Sequence, residues 1–169
     1  MRRLVAALTS ALVGALALGG CGGAVASDPG DPQARRVLAL AAHGRELEDR
    51  LGSTARAAVH RTATVRETRN TLAELLPQAT RLREDIASTV PDGAPGRVPA
   101  LEGAHELQAA TTFLHSYASG HAAGLALASR HLAAATRAFG GAAGALRPYL
   151  SEVQEETLAH LEAPAPALR

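Results

Sequence analysis

From Pro32 to Leu161 the apolar residues recur three and four positions apart, while the two-residue alternation of a half-buried strand is essentially absent. Dipeptides that close β-hairpins are equally scarce. This periodicity restricts the chain to helices packing on helices: one all-α domain, with a four-helix bundle as the expected architecture. Alanine makes up nearly a quarter of the residues, and only Phe113, Phe139, Tyr117 and Tyr149 are aromatic. Alanine forms helix at little entropic cost but fills little volume, so the helices must approach one another closely.

The boundaries follow from local chemistry. Asp31-Pro32 reads as an N-cap followed by proline at the first helical position, where a missing amide costs nothing. Val37, Leu40, Gly44, Leu47 and Leu51 then share a face, and Gly52-Ser53 reads as a stop and a new cap. A second helix is expected from about Ser53 to Ala87, on the stripe Val65, Thr68, Leu72, Leu75, Ala79, Leu82 and Ile86; Pro77 should bend or divide it. Residues 90–99, with three prolines and two glycines, form the clearest interhelical loop. The third segment runs from about Ala100 to Phe139, one face carrying Leu107, Leu114, Tyr117, His121, Leu125 and Leu132. Gly120 and Gly124 within it permit close helix contact or a kink. Gly140-Gly141 and Gly144 mark the last boundary, before a fourth helix with Leu146, Leu150, Val153, Thr157 and Leu161. The two long segments are expected to pair as a hairpin, with the shorter helices laid against it.

The first 20 residues have a different character. Arg2 and Arg3 precede an apolar run over residues 4–20 that is too short and too glycine-rich at its end for a comfortable membrane span. It closes in Leu18-Gly19-Gly20-Cys21, which resembles the lipobox of bacterial lipoproteins: a branched residue, two small residues, then the cysteine whose thiol is acylated. The resemblance implies a signal peptide at 1–20, lipidation at Cys21, a flexible tether at 21–32 (GGAVASDPGDP follows the cysteine), a bundle at 33–163 and a tail at 164–169. Several acyl chains on one residue anchor stably where a single chain does not. Gly22 is not the aspartate associated with inner-membrane retention, which favours an outer membrane facing the periplasm where the organism has one. Without Arg2 and Arg3 the formal charge falls from +1 to −1. With so few aromatics, that charge disfavours nucleic acid as a partner. An acylated Cys21, the only cysteine, leaves no thiol for a disulfide, a nucleophile or a metal ligand.

Seven histidines and no tryptophan direct attention to histidine. Glu102 and His105 have the Glu-x-x-His spacing found in di-iron bundles, although polar residues at that spacing also arise by chance and stay solvated. Glu156 and His160 are four apart and read either as a ligand pair or as a modest intrahelical pair. His121 falls beside Tyr117 on the apolar face, so its burial demands a hydrogen-bond partner or a ligand. His115 and His131 point to other faces. No second Glu-x-x-His occurs, His105-Glu106 lacks the second histidine of a zincin, and neither a phosphate loop nor a nucleophile elbow is present.

Phe113–His131 (FLHSYASGHAAGLALASRH) and Leu146–Leu161 (LRPYLSEVQEETLAHL) resemble the ferritin-like family of bacterial envelope proteins whose domain has no assigned function. The resemblance covers about Pro32 to Glu162 and places that family's tyrosine and histidines on Tyr117, His121 and His160. It implies a ferritin-like up-and-down bundle in the cell envelope, with no settled activity; no cofactor is expected from the residues unless the histidines hold a metal. The leading expectation is a lipid-anchored, non-enzymatic domain that supports the envelope or binds another envelope protein. The alternative is a periplasmic metal or small-ligand binder using His121 with His105 or His160.

Overall fold

A computed structural model describes residues 31–164. The expected signal peptide, Cys21, nearly all of the tether and all but the first residue of the tail lie outside the described residues. Five α-helices follow in order: α1 (Pro32–Val59), α2 (Val65–Thr89), α3 (Arg97–Ala118), α4 (Ala123–Leu146) and α5 (Glu155–Glu162). Two 3₁₀ turns, Arg147–Tyr149 and Glu152–Gln154, link α4 to α5. The described residues contain no strand, and the chain is an all-α bundle. No described helix is long and apolar enough to cross a membrane.

Short connections make successive helices antiparallel neighbours. Reversed pairings confirm this: Arg69 Nε donates to Ala118 O at 3.1 Å, while Arg83 Nη1, further along α2, donates to Gln108 Oε1 earlier in α3, at 3.2 Å. Between α1 and α2, Arg50 Nη1 reaches Gln78 Oε1 at 3.1 Å. α4 closes the ring against α1, and α5 lies across α4 and α1. One end of the bundle therefore holds the start of α1, the α2–α3 loop and the end of α4, where Asp31 N donates to Tyr149 O at 3.2 Å. The other end holds the α1–α2 and α3–α4 turns.

Asp31 caps α1 through Gln33 N at 2.7 Å, with Pro32 in the first turn as expected. Gly52-Ser53 does not stop that helix. The break comes at 60–64, where Arg61 takes φ +56° and Thr64 opens α2 with a capping box. Thr64 Oγ1 accepts from Glu67 N at 3.2 Å, and the Glu67 carboxylate accepts from Thr64 N at 2.8 Å. α2 runs unbroken past Pro77, which lies on its exposed side, so the carbonyl left without an amide partner faces water. The stripe from Thr68 to Ile86 is buried, whereas Val65 is exposed.

The third expected segment is two helices. Gly120, at φ +100°, supplies the left-handed residue that lets the chain reverse. Gly124 instead provides close contact, since a Cβ there would lie 2.5 Å from Phe113 O and 2.7 Å from Tyr117 N. The glycines at 140, 141 and 144 do not end α4, which continues to Leu146. The last segment is mostly 3₁₀ turn before α5, and Val153 is 88% exposed rather than packed.

Phe139 is the one aromatic that is fully buried. It fits a slot made by two missing side chains: a Cβ on Gly44 would stand 2.4 Å from its Cζ, and one on Gly103 would stand 2.7 Å from its Cε1. α1, α3 and α4 thus meet on a single ring. Around it the interior is mostly leucine and alanine, with Val37, Ile86 and Val90, as the composition requires.

Candidate functional site

The end of the bundle farther from Asp31 is open. α1 unwinds where Thr62 N and Ala63 N both bond to Ala57 O, at 3.0 and 3.3 Å. α3 finishes with Gly120 N on Tyr117 O at 2.9 Å and His121 N on Ser116 O at 3.1 Å. These turns stand apart and leave a cavity of about 590 Å³ between them. Val65, Tyr117 and Ala118 give it an apolar wall, Thr64 and Thr68 contribute hydroxyl-bearing residues, and Arg61 supplies a cation. Arg69 braces the site by its bond to Ala118 O.

Of the residues singled out from sequence, Tyr117 lines this cavity and is half-buried. His121 requires a correction. It is exposed in the turn after α3, with Nδ1 3.3 Å from Ser116 O, and not on a buried helical face. The reason is Gly120, which breaks the periodicity on which the expected burial depended. Glu102 and His105 are both exposed on α3. Thirteen helical residues separate His105 from the end of α3, about 20 Å at 1.5 Å per residue, so His105 and His121 cannot bind one ion. Glu156 and His160 are exposed on α5, and His160 Nε2 lies 3.8 Å from Asp49 Oδ2 of α1. Among the described residues no three ligating side chains converge.

Two polar clusters were not anticipated. His131 Nδ1 lies 2.6 Å from Glu106 Oε2, and the imidazole stacks on Phe113 at 5.1 Å between centroids, bridging α3 and α4. No local pattern marks this pair, because Glu106 and Phe113 lie on α3 and His131 on α4. The second cluster is deeper. Arg45 and Glu48 of α1 are 2% and 0% exposed, with Nη1 2.7 Å from Oε2. Thr136 Oγ1 donates to Glu48 Oε1, and Arg45 Nη2 donates to Ala163 O at 3.2 Å, just past α5. Arg45 Nε has no partner, and Glu48 Oε2 is close to the guanidinium without a well-aligned hydrogen bond. Burial raises the Glu48 carboxyl above its ordinary value, while Thr136 and Arg45 act against that rise. A signal for Glu48 does exist in the sequence: Ala34, Val37, Ala41, Gly44, Glu48, Leu51 and Ala55 alternate in threes and fours, which sets the glutamate on the seam.

No family model, curated protein or solved structure matches the chain.

Proposed function

We propose that the chain is a lipoprotein of a bacterial cell envelope, held by acyl groups on Cys21, whose helical domain binds another envelope component without catalysing a reaction. The observation that carries this reading is Leu18-Gly19-Gly20-Cys21 at the close of an apolar run behind Arg2 and Arg3. The capped start of α1 supports it: Asp31 begins the bundle ten residues after the cysteine, a span of at most about 35 Å when extended. The lipid would thus lie near the end bearing Asp31 and Tyr149. The cavity end, with Val65 59% exposed beside it, would project into the aqueous compartment as the contact surface.

For the fold, the reading is a four-helix bundle in simple up-and-down succession, with α5 as an added clasp. The likeness to ferritin-like envelope domains rests on Tyr117, His121 and His160. Short connections between all four long helices favour direct succession over the crossover of ferritin-like folds.

Replacing Cys21 by serine and following radiolabelled palmitate tests the anchor. Loss of label and of the diacylated mass is expected. Unchanged incorporation, or a natural chain that retains residues 1–20, would refute it.

A further inference from the structure

The cavity between the α1–α2 and α3–α4 turns has the composition of a ligand site as well as the size of one. Pockets for small molecules are concave, largely apolar and of about 300–1,000 Å³, with a few polar groups that fix orientation. This one is about 590 Å³. Its wall of Val65, Tyr117 and Ala118 suits a hydrocarbon, while Arg61, Thr64 and Thr68 are its polar members.

The charge around it is predominantly positive. Arg56, Arg61, Arg66 and Arg69 occupy the last turn of α1, the connection and the first turns of α2, against Glu67 alone. Across the opening, residues 111–130 contain no acidic side chain, and His115 and His121 are exposed there. Glu67 has its carboxylate engaged by Thr64 in the capping box. Arg61 makes no ion pair among the described residues. It also holds φ +56°, a conformation that a non-glycine residue adopts at a cost and that tends to cluster at ligand clamps.

We infer that this cavity binds a single-chain amphiphile with an anionic head, its hydrocarbon against Val65, Tyr117 and Ala118 and its head at Arg61. The site does not depend on the proposed anchor. It lies about 40 Å from Asp31, the length of the 28-residue α1. A hydrocarbon entering it gains by burial, and a carboxylate at the rim gains a charge-assisted hydrogen bond.

The sequence itself supplies a reporter. There is no tryptophan, and the two tyrosines are Tyr117 in the cavity and Tyr149 at the other end of the bundle. In the full chain carrying Cys21→Ser and Tyr149→Phe, the fluorescence of Tyr117 reads the site alone. Hexanoate, octanoate and decanoate, each kept below its micelle concentration, should bind saturably and tighten about fourfold per methylene. Decylammonium should bind at least about tenfold more weakly than decanoate, the loss of one hydrogen bond to a charged group. Arg61→Gly, which accepts the positive φ without strain, should abolish that discrimination while leaving the helical signal intact. Ala118→Leu should fill the cavity and weaken decanoate. The inference is overturned by no saturable response, by affinity independent of chain length, by equal binding of the ammonium, or by unchanged discrimination in Arg61→Gly.

Discussion

Replacing Gly103 by alanine in the middle of α3 sets a gain in helix propensity against a loss of space. The propensity gain is about 1 kcal/mol. The added methyl carbon would stand 2.7 Å from Phe139 Cε1 and 2.8 Å from Cδ1, whereas carbon atoms in contact settle at about 3.5–4.0 Å. The ring has no room to retreat, because it already rests against Gly44, where a Cβ position lies 2.4 Å from Cζ. Overpacking of a tight core costs about 1–3 kcal/mol, so the net effect is a destabilisation of up to about 2 kcal/mol. For a domain of this size each kcal/mol lowers Tm by about 2–4 °C. A double-mutant cycle with Phe139→Leu identifies the cause, since a smaller residue at 139 frees the space that the methyl group needs. Urea unfolding followed by far-UV circular dichroism should show the double variant more stable than the sum of the singles by about 0.5 kcal/mol or more. A Gly103→Ala protein more stable than its parent, or energies additive within about 0.3 kcal/mol, would refute the slot.

Gly144 provides the contrast: it is exposed on α4 with nothing within 4 Å of an added Cβ, so Gly144→Ala should raise stability by about 0.5–1 kcal/mol in the same urea assay. Arg45→Met leaves the Glu48 charge unpaired and should cost about 3–5 kcal/mol, while adding Glu48→Leu should recover most of that loss, since apolar replacements of buried pairs are often neutral. The pH response of Glu48 has a definite sign. With its folded value raised above 4.5, the folded protein holds the proton more tightly, so this group's contribution is most favourable below the ordinary value and declines as pH rises through the raised one. Glu48→Gln should remove that decline from urea midpoints measured across mildly acidic pH. Glu67 behaves oppositely: the Thr64 amide, helped by the Thr64 hydroxyl, lowers its carboxyl below 4.5, so its stabilisation is present above the ordinary value and is lost as pH falls through the lowered one. Glu67→Gln should abolish that dependence and Thr64→Ala only reduce it, since the amide remains.

The parts of the fold that sequence made legible are those fixed by local stereochemistry. Asp31-Pro32 starts α1 because a carboxylate cap and a proline each act within one turn. The α2 stripe is readable because apolar spacing sets which face is buried, and the loop before α3 because clustered prolines and glycines disfavour helix, although α3 already starts at Arg97 and takes Pro99 into its first turn. Glycine is a poorer boundary marker than these signals. Gly52, Gly140 and Gly141 lie within helices, since a glycine inside a helix weakens it without ending it. The residue that does take positive φ after α1 is Arg61, which no propensity favours there. Thr64-x-x-Glu67 marked the next start, but the expected continuous helix concealed it. At the site, Tyr117 was recognised as a tyrosine on an inward face. Its partners Arg61, Val65 and Thr68 come from another hairpin, and only tertiary packing brings them together.

The guanidinium of Arg45 makes the final helix hard to lose. Its bond to Ala163 O spans 118 positions of chain, so the fate of a charge in the middle of α1 is tied to a carbonyl near the far end. A protease cutting in the 3₁₀ segment between Arg147 and Gln154 would do more than free an eight-residue helix and uncover Leu158 and Leu161. It would strip one partner from an ion held out of water. Detachment of α5 is thereby linked to the integrity of the whole interior, and a truncated chain should be recognisable by the loosening of α1.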